Sequence, residues 1–118
     1  MPKKILIVDD DATNRKLLEA ILKKGDYEVI EAENGIDALH KLTSDIDLIL
    51  LDLIMPLMGG LDFLEVLPSK KPECINIPVI VLTTDDSKRV EALNKGAKEV
   101  IIKPVNPALL LDKIASYL

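Results

Sequence analysis

Tryptophan is absent from this 118-residue chain, and phenylalanine, cysteine and histidine occur once each, as Phe63, Cys74 and His40. A single cysteine cannot close an internal disulfide, and one Cys with one His offers no zinc-binding spacing. Cys74 therefore reads as a free thiol in a loop. With Tyr27 and Tyr117 as the only other aromatics, no platform exists for stacking bases or a flavin, and all three rings read as core or half-buried residues. No apolar run approaches the ~20 residues a membrane span needs. Met1 leads directly into a charged pair and a short strand-like run, which predicts no secretory leader and a cytoplasmic protein. The net charge is −5, the wrong sign for a protein whose main task is to hold nucleic acid. Neither nucleic acid nor membrane is an expected partner.

What remains is a chain that is 48% hydrophobic and 30% charged, enough apolar material for one packed domain over residues 1–118 and too short for two. Its apolar residues fall into two alternating patterns. Lys3 to Val8 and Asp47 to Leu51 are short apolar runs of the kind that form buried strands, Tyr27 to Ala32 alternates like a strand, and Val79 to Leu82 and Glu99 to Ile102 are two further strand-like runs. Between and after them, Ala12 to Lys24, Ile36 to Leu42, Leu61 to Leu67, Ser87 to Lys95 and the segment after Asn106 carry helical spacing. Gly25 and Gly96 supply stops, Asp86 and Asn106 supply caps, and Pro107 suits a first helical position. Pro68 to Pro78, with three prolines and two lysines, reads as a loop. No internal repeat, low-complexity tract or linker interrupts the pattern.

Five strands alternating with five helices imply a parallel sheet covered by helices on both faces. Right-handed crossovers then bring every strand's C-terminal end to one edge, where such sheets place their sites. Five polar residues meet there: Asp9 and Asp10 after the first strand, Asp52 after the third, Thr83 after the fourth and Lys103 after the fifth. Clustered carboxylates repel one another and favour a hard divalent cation such as Mg²⁺, which takes oxygen ligands and commonly shares them with phosphate. An ammonium binds phosphate as a compact charge, a hydroxyl can donate to a phosphoryl oxygen, and a carboxylate can attack phosphorus to form an aspartyl-phosphate. The set reads as phosphoryl transfer to a carboxylate. Asp11 reads instead as an ordinary helix cap, and His40, among Asp37, Lys41 and Ser44, as a residue of a solvated helix face.

Four segments carry a resemblance. Ile7-Val8-Asp9-Asp10-Asp11, Leu50-Leu51-Asp52-Leu53-Ile54-Met55-Pro56 with Gly60, Pro78 to Thr83, and Gly96-Ala97 with Lys103-Pro104 resemble, in order and spacing, the signature segments of response-regulator receiver domains, from about Lys4 to Leu118. The resemblance implies a doubly wound, flavodoxin-like α/β fold with strand order 2-1-3-4-5. It implies that Asp52 accepts the phosphoryl group, with Thr83 as switch hydroxyl and Lys103 as its pairing cation. Mg²⁺ would sit on Asp10, Asp9, Asp52 and the backbone carbonyl of Ile54. It also implies a cis Lys103–Pro104 peptide. The expected donor is a sensor histidine kinase or histidine phosphotransfer protein, and the expected activity is self-modification, not turnover of a separate substrate.

The sequence departs from the family in two places. Val100 stands where an aromatic residue often couples to the switch threonine, and Thr84 where a smaller residue often follows it. The alternative within the family is a non-phosphorylated pseudo-receiver that serves as an interaction module; the full Asp10, Asp52, Thr83 and Lys103 set argues against it. A flavodoxin-type electron carrier would place a phosphate where Asp9, Asp10 and Asp11 repel one. An aspartyl-nucleophile hydrolase needs a general acid two residues after the nucleophile, where this chain has Ile54.

Overall fold

The computed structural model describes residues 2–118. Strands β1 (Lys4–Val8), β2 (Glu28–Ala32), β3 (Leu48–Asp52), β4 (Val79–Thr83) and β5 (Glu99–Ile102) alternate with helices α1 (Ala12–Lys24), α2 (Gly35–Lys41), α3 (Gly60–Lys70), α4 (Arg89–Asn94) and α5 (Pro107–Tyr117). All strand pairs are parallel and the order is β2-β1-β3-β4-β5, as the resemblance implied.

The two-residue period of a strand explains how one sheet carries two cores. Leu6, Val8, Ile49, Leu51, Val79 and Val81 point to one face and pack with Ala38, Leu42, Phe63, Leu64, Leu67 and Ala92 of α2, α3, α4 and their flanks. Their strand neighbours Ile5, Ile7, Leu48, Leu50, Ile80 and Leu82 point to the other face, against Leu18, Ile21, Leu22, Leu110 and Ile114 of α1 and α5. Each of these large side chains, buried in full, contributes roughly 1.5–3 kcal/mol of transfer free energy. Among the described residues no helix is long and apolar enough to cross a membrane.

Local chemistry sets the helix ends. Asp11 caps α1 by accepting from the Thr13 and Asn14 amides, as its sequence context suggested. Asn34 caps α2 through the Asp37 amide, and Asn106 caps α5 through the Leu109 amide with Pro107 at the first position. Gly96 ends the α4 segment at φ 118°, a conformation that favours glycine.

Three local expectations are corrected. The segment from Pro68 is not a loop throughout: α3 runs to Lys70, and Pro72–Cys74 form a 3-10 turn. Pro68 has no amide to donate to the Leu64 carbonyl one turn back, and its ring crowds that carbonyl, but the buried Leu67 and the Lys71 amide bonded to the Leu67 carbonyl hold the last turn. Cys74 is unpaired, as read, but fully buried in that turn and not on a loop surface. Asp86 does not cap a helix from Ser87. Asp85 caps a 3-10 turn, Asp86–Lys88, and α4 begins only at Arg89.

Candidate functional site

Strand register converts five separated residues into one site. Val8 pairs with Leu51, so Asp9 and Asp52, each the next residue, leave the sheet side by side. Asp52 pairs with Leu82 and Thr83 with Ile102, so Thr83 and then Lys103 follow in steps along the same edge. Parity adds direction. Asp9 and Asp52 continue the rows of Ile7 and Leu50 that face α1 and α5, and Lys103 continues the row of Ile101 on that same face.

The long Lys103 side chain reaches back across the strand ends. Its Nζ donates to Asp9 Oδ2 at 3.3 Å and lies 3.6 Å from Asp52 Oδ2. The Lys103–Pro104 peptide is cis, as the resemblance implied. Asp9 is only 2% exposed, and its other oxygen, Oδ1, accepts the Asp11 amide at 2.8 Å. Asp52 Oδ1 accepts the Leu53 amide at 2.8 Å. One carboxylate oxygen each from Asp9, Asp10 and Asp52 lie within 4.8 Å of one another. Burial pushes the Asp52 carboxyl above the ordinary carboxylate range; Lys103 pulls it back, and the Asp9 charge raises it further.

The remaining site residues frame this centre. Thr83 is fully buried, and its Oγ1 accepts the Asp85 amide at 3.1 Å. Ile54 leaves β3 outward and is 64% exposed. Asp85 turns its carboxylate to the Ser87 amide and hydroxyl, which hold it below the usual range. Gly60 at the start of α3 packs on the peptide that follows Asp52. A β-carbon there would collide with the Asp52 carbonyl oxygen and come within 2.9 Å of Leu53 Cα. His40 is exposed on α2, outside this set.

A family model described as a response regulator receiver domain matches residues 5–115. The chain belongs to the response-regulator receiver family. It is 36% identical over 116 residues to the chemotaxis protein CheY1 of Helicobacter pylori, covering 94% of this chain and 93% of that one. It is also 36% identical over 118 residues to the CAI-1 autoinducer sensor kinase/phosphatase CqsS of Vibrio cholerae, covering 98% of this chain. Several of the curated relatives are longer: the chain spans 17% of that sensor kinase and 48% of the transcriptional regulatory protein ResD of Bacillus subtilis. Among solved structures, the response regulator TrrA of Thermotoga maritima, determined in complex with Mg²⁺-BeF, superposes with a TM-score of 0.87 at 35% identity over 98% of this chain and 99% of that one. Chemotaxis protein CheY4 of Vibrio cholerae gives 0.88 at 31% identity over the full length of both.

One contact of this receiver site has no counterpart in the sequence reading. The Arg15 guanidinium, from the first turns of α1, donates to the Asp9 backbone carbonyl at 2.5 Å and to Glu31 Oε1 of β2 at 3.0 Å. The available signal was a basic pair, Arg15-Lys16, close behind Asp9, Asp10 and Asp11, at the helix end where a positive charge is electrostatically disfavoured.

Proposed function

We propose that this receiver takes a phosphoryl group from a phosphohistidine of a sensor histidine kinase or histidine phosphotransfer protein onto Asp52, in a Mg²⁺-dependent step. The observation that carries the reading is the convergence of Asp9, Asp10 and Asp52 oxygens within 4.8 Å beside a single ammonium. Three hard oxygen donors suit Mg²⁺ and not a soft metal, so the donor set fits the ion. Asp9, Asp10, Asp52 and the Ile54 carbonyl would hold it. Once bound, it would supply Lewis-acid stabilisation of phosphoryl oxygens and offset the carboxylate charge.

The chain's own residues do the rest. An Asp52 carboxylate oxygen attacks phosphorus as the phosphorus–nitrogen bond breaks, and the electron pair leaves on the donor imidazole. The product is a mixed anhydride on Asp52. Leu53 N–H fixes the carboxylate orientation by its bond to Oδ1. Lys103, already against both acidic partners, offsets charge as the phosphoryl group arrives. Thr83, with its oxygen engaged by the Asp85 amide, keeps its proton free to donate to a phosphoryl oxygen. The partner-binding surface then switches through the loop that Thr83 begins. The chain modifies itself and turns over no separate substrate.

Incubating the purified protein with acetyl phosphate and Mg²⁺, then measuring intact mass, tests this. One added phosphoryl group, absent in Asp52→Asn and without Mg²⁺, is expected. Labelling of the Asn variant at the wild-type level defeats the site assignment, and no labelling of either leaves the pseudo-receiver reading in its place.

A further inference from the structure

We infer that Arg15 is a positioning residue for the proposed divalent-cation site, an inference that rests on the reading above. The Asp9 carbonyl belongs to the planar peptide that joins Asp9 to Asp10, the first peptide beyond the β1 ladder. On the amide side, the Asp9 N–H still donates to the Ala32 carbonyl at 3.1 Å, the last rung between β1 and β2. The carbonyl oxygen, past the end of the strand, meets Arg15 Nη1 at 2.5 Å. Fixing that oxygen fixes the plane of the peptide. That places Asp10 Cα, and the next peptide is held too, because the Asp11 amide donates to Asp9 Oδ1; the two peptides together set how Asp10's Cα–Cβ bond leaves the chain relative to the Asp9 carboxylate, which Lys103 also holds.

Arg15 is itself anchored. Its Nε donates to Glu31 Oε1, and the backbone carbonyl of Glu31 accepts Lys41 Nζ at 2.7 Å, so the end of the edge strand β2 is tied to both α1 and α2. The planar guanidinium reaches an acceptor just past β1 and another on β2 at once, which a lysine cannot reproduce. A cation in the first turns of a helix opposes the helix dipole, and here it also stands near three carboxylates that are to bind another cation. As a charge alone, Arg15 weakens Mg²⁺ binding. As the clamp of the Asp9–Asp10 peptide, it strengthens it. The two roles predict opposite signs.

Calorimetric titration of metal-free protein with Mg²⁺ reads that sign. Arg15→Met is expected to weaken Mg²⁺ affinity by about 10-fold or more, the usual effect of losing a group that orients a metal ligand. Arg15→Lys, which keeps the charge, is expected to weaken it to a smaller degree. The Asp10 amide nitrogen resonance, which senses hydrogen bonding at the preceding carbonyl, should shift in both variants before metal is added. Should Arg15→Met fail to fold, the Lys variant decides by the same readouts. Affinity equal to or tighter than wild type in the variant that folds overturns the inference. A wild-type protein that takes up no Mg²⁺ at millimolar concentration defeats the proposed function and this inference with it, whereas wild-type binding matched by the variants defeats this inference alone.

Discussion

Removing the charge of Asp52 should stabilise the metal-free protein. At an effective dielectric constant of ~20, the Lys103–Asp52 pair at 3.6 Å is worth about 4.6 kcal/mol of attraction. Asp9 and Asp10 each bring an oxygen within 4.8 Å of Asp52, so each repels it by about 3.5 kcal/mol or more on the same scale. Two repulsions outweigh one attraction by roughly 2 kcal/mol. Solvent reduces the contribution of the exposed Asp10, while relief of the burial cost at Asp52 acts the other way. The amide oxygen of Asp52→Asn can still accept the Leu53 N–H, so that bond is not lost. The net expectation is a gain of about 1–3 kcal/mol, a melting temperature higher by roughly 5–10 °C for a chain of this length.

The pH dependence has a definite sign. The native Asp52 carboxyl sits above its unfolded value of 3.8, chiefly through burial, so the folded state binds this proton more readily than the unfolded chain. Its contribution to stability is fully present below the unfolded value and is lost as pH rises through the raised native value. The advantage of Asp52→Asn should therefore be full at neutral pH and shrink on acidification toward the unfolded value. Thermal melts in chelator across that range, run in parallel, provide the assay. An Asn variant less stable than wild type at neutral pH, or a constant difference across the range, refutes the reasoning. Millimolar Mg²⁺ should raise the wild-type melting temperature by mass action and reduce the gap.

Two further outcomes are expected at the loop after β3. Leu57 is 83% exposed and holds φ at 68°, where a leucine costs about 1–2 kcal/mol, so Leu57→Asn should stabilise the protein by about 1 kcal/mol in chemical denaturation; a loss of stability refutes the strain argument. Ile54 projects into solvent two residues after Asp52, with no polar atom to orient a water, and Asp85 is committed to Ser87. The phosphorylated protein should lose its phosphate slowly and Ile54→Asn several-fold faster, followed by release of inorganic phosphate; equal rates, or a slower Asn variant, dispose of the idea that an apolar residue at this position slows hydrolysis.

The fold was legible because burial leaves a periodic trace. The central strands β1, β3 and β4, buried on both faces, appear as apolar runs, the edge strand β2 as an alternation that includes Glu28 and Glu31, and all five were readable near their C-terminal ends, where the site is built. Those ends matter most, because register there puts Asp9 beside Asp52 and steps Thr83 and Lys103 along the same edge. The segment from Pro68 was less readable because a proline signals a break by its local cost alone. Whether a helix outlasts that cost depends on what its neighbours bury, and Leu67 packs beneath the last turn. Asp85 and Asp86 posed a similar problem. Both are good caps, and only the preceding turn, in which the Asp85 amide donates to Thr83, decides which one faces the open amides.

Arg15 shows where periodicity stops informing. Its helical position predicts which face it occupies but not that a carbonyl one residue beyond a strand lies within its reach. Backbone groups inside the ladder have partners that pairing rules supply, whereas groups just past it depend on whatever side chain the next layer offers. In a doubly wound sheet those unladdered peptides carry the site residues. The residues that complete them come from neighbouring helices and edge strands, as Arg15 and Glu31 do, and they share no motif with the acids they orient. A motif therefore records the groups that touch phosphate or metal. The groups that hold those in place follow from asking, peptide by peptide, which carbonyl the ladder leaves open and which donor reaches it.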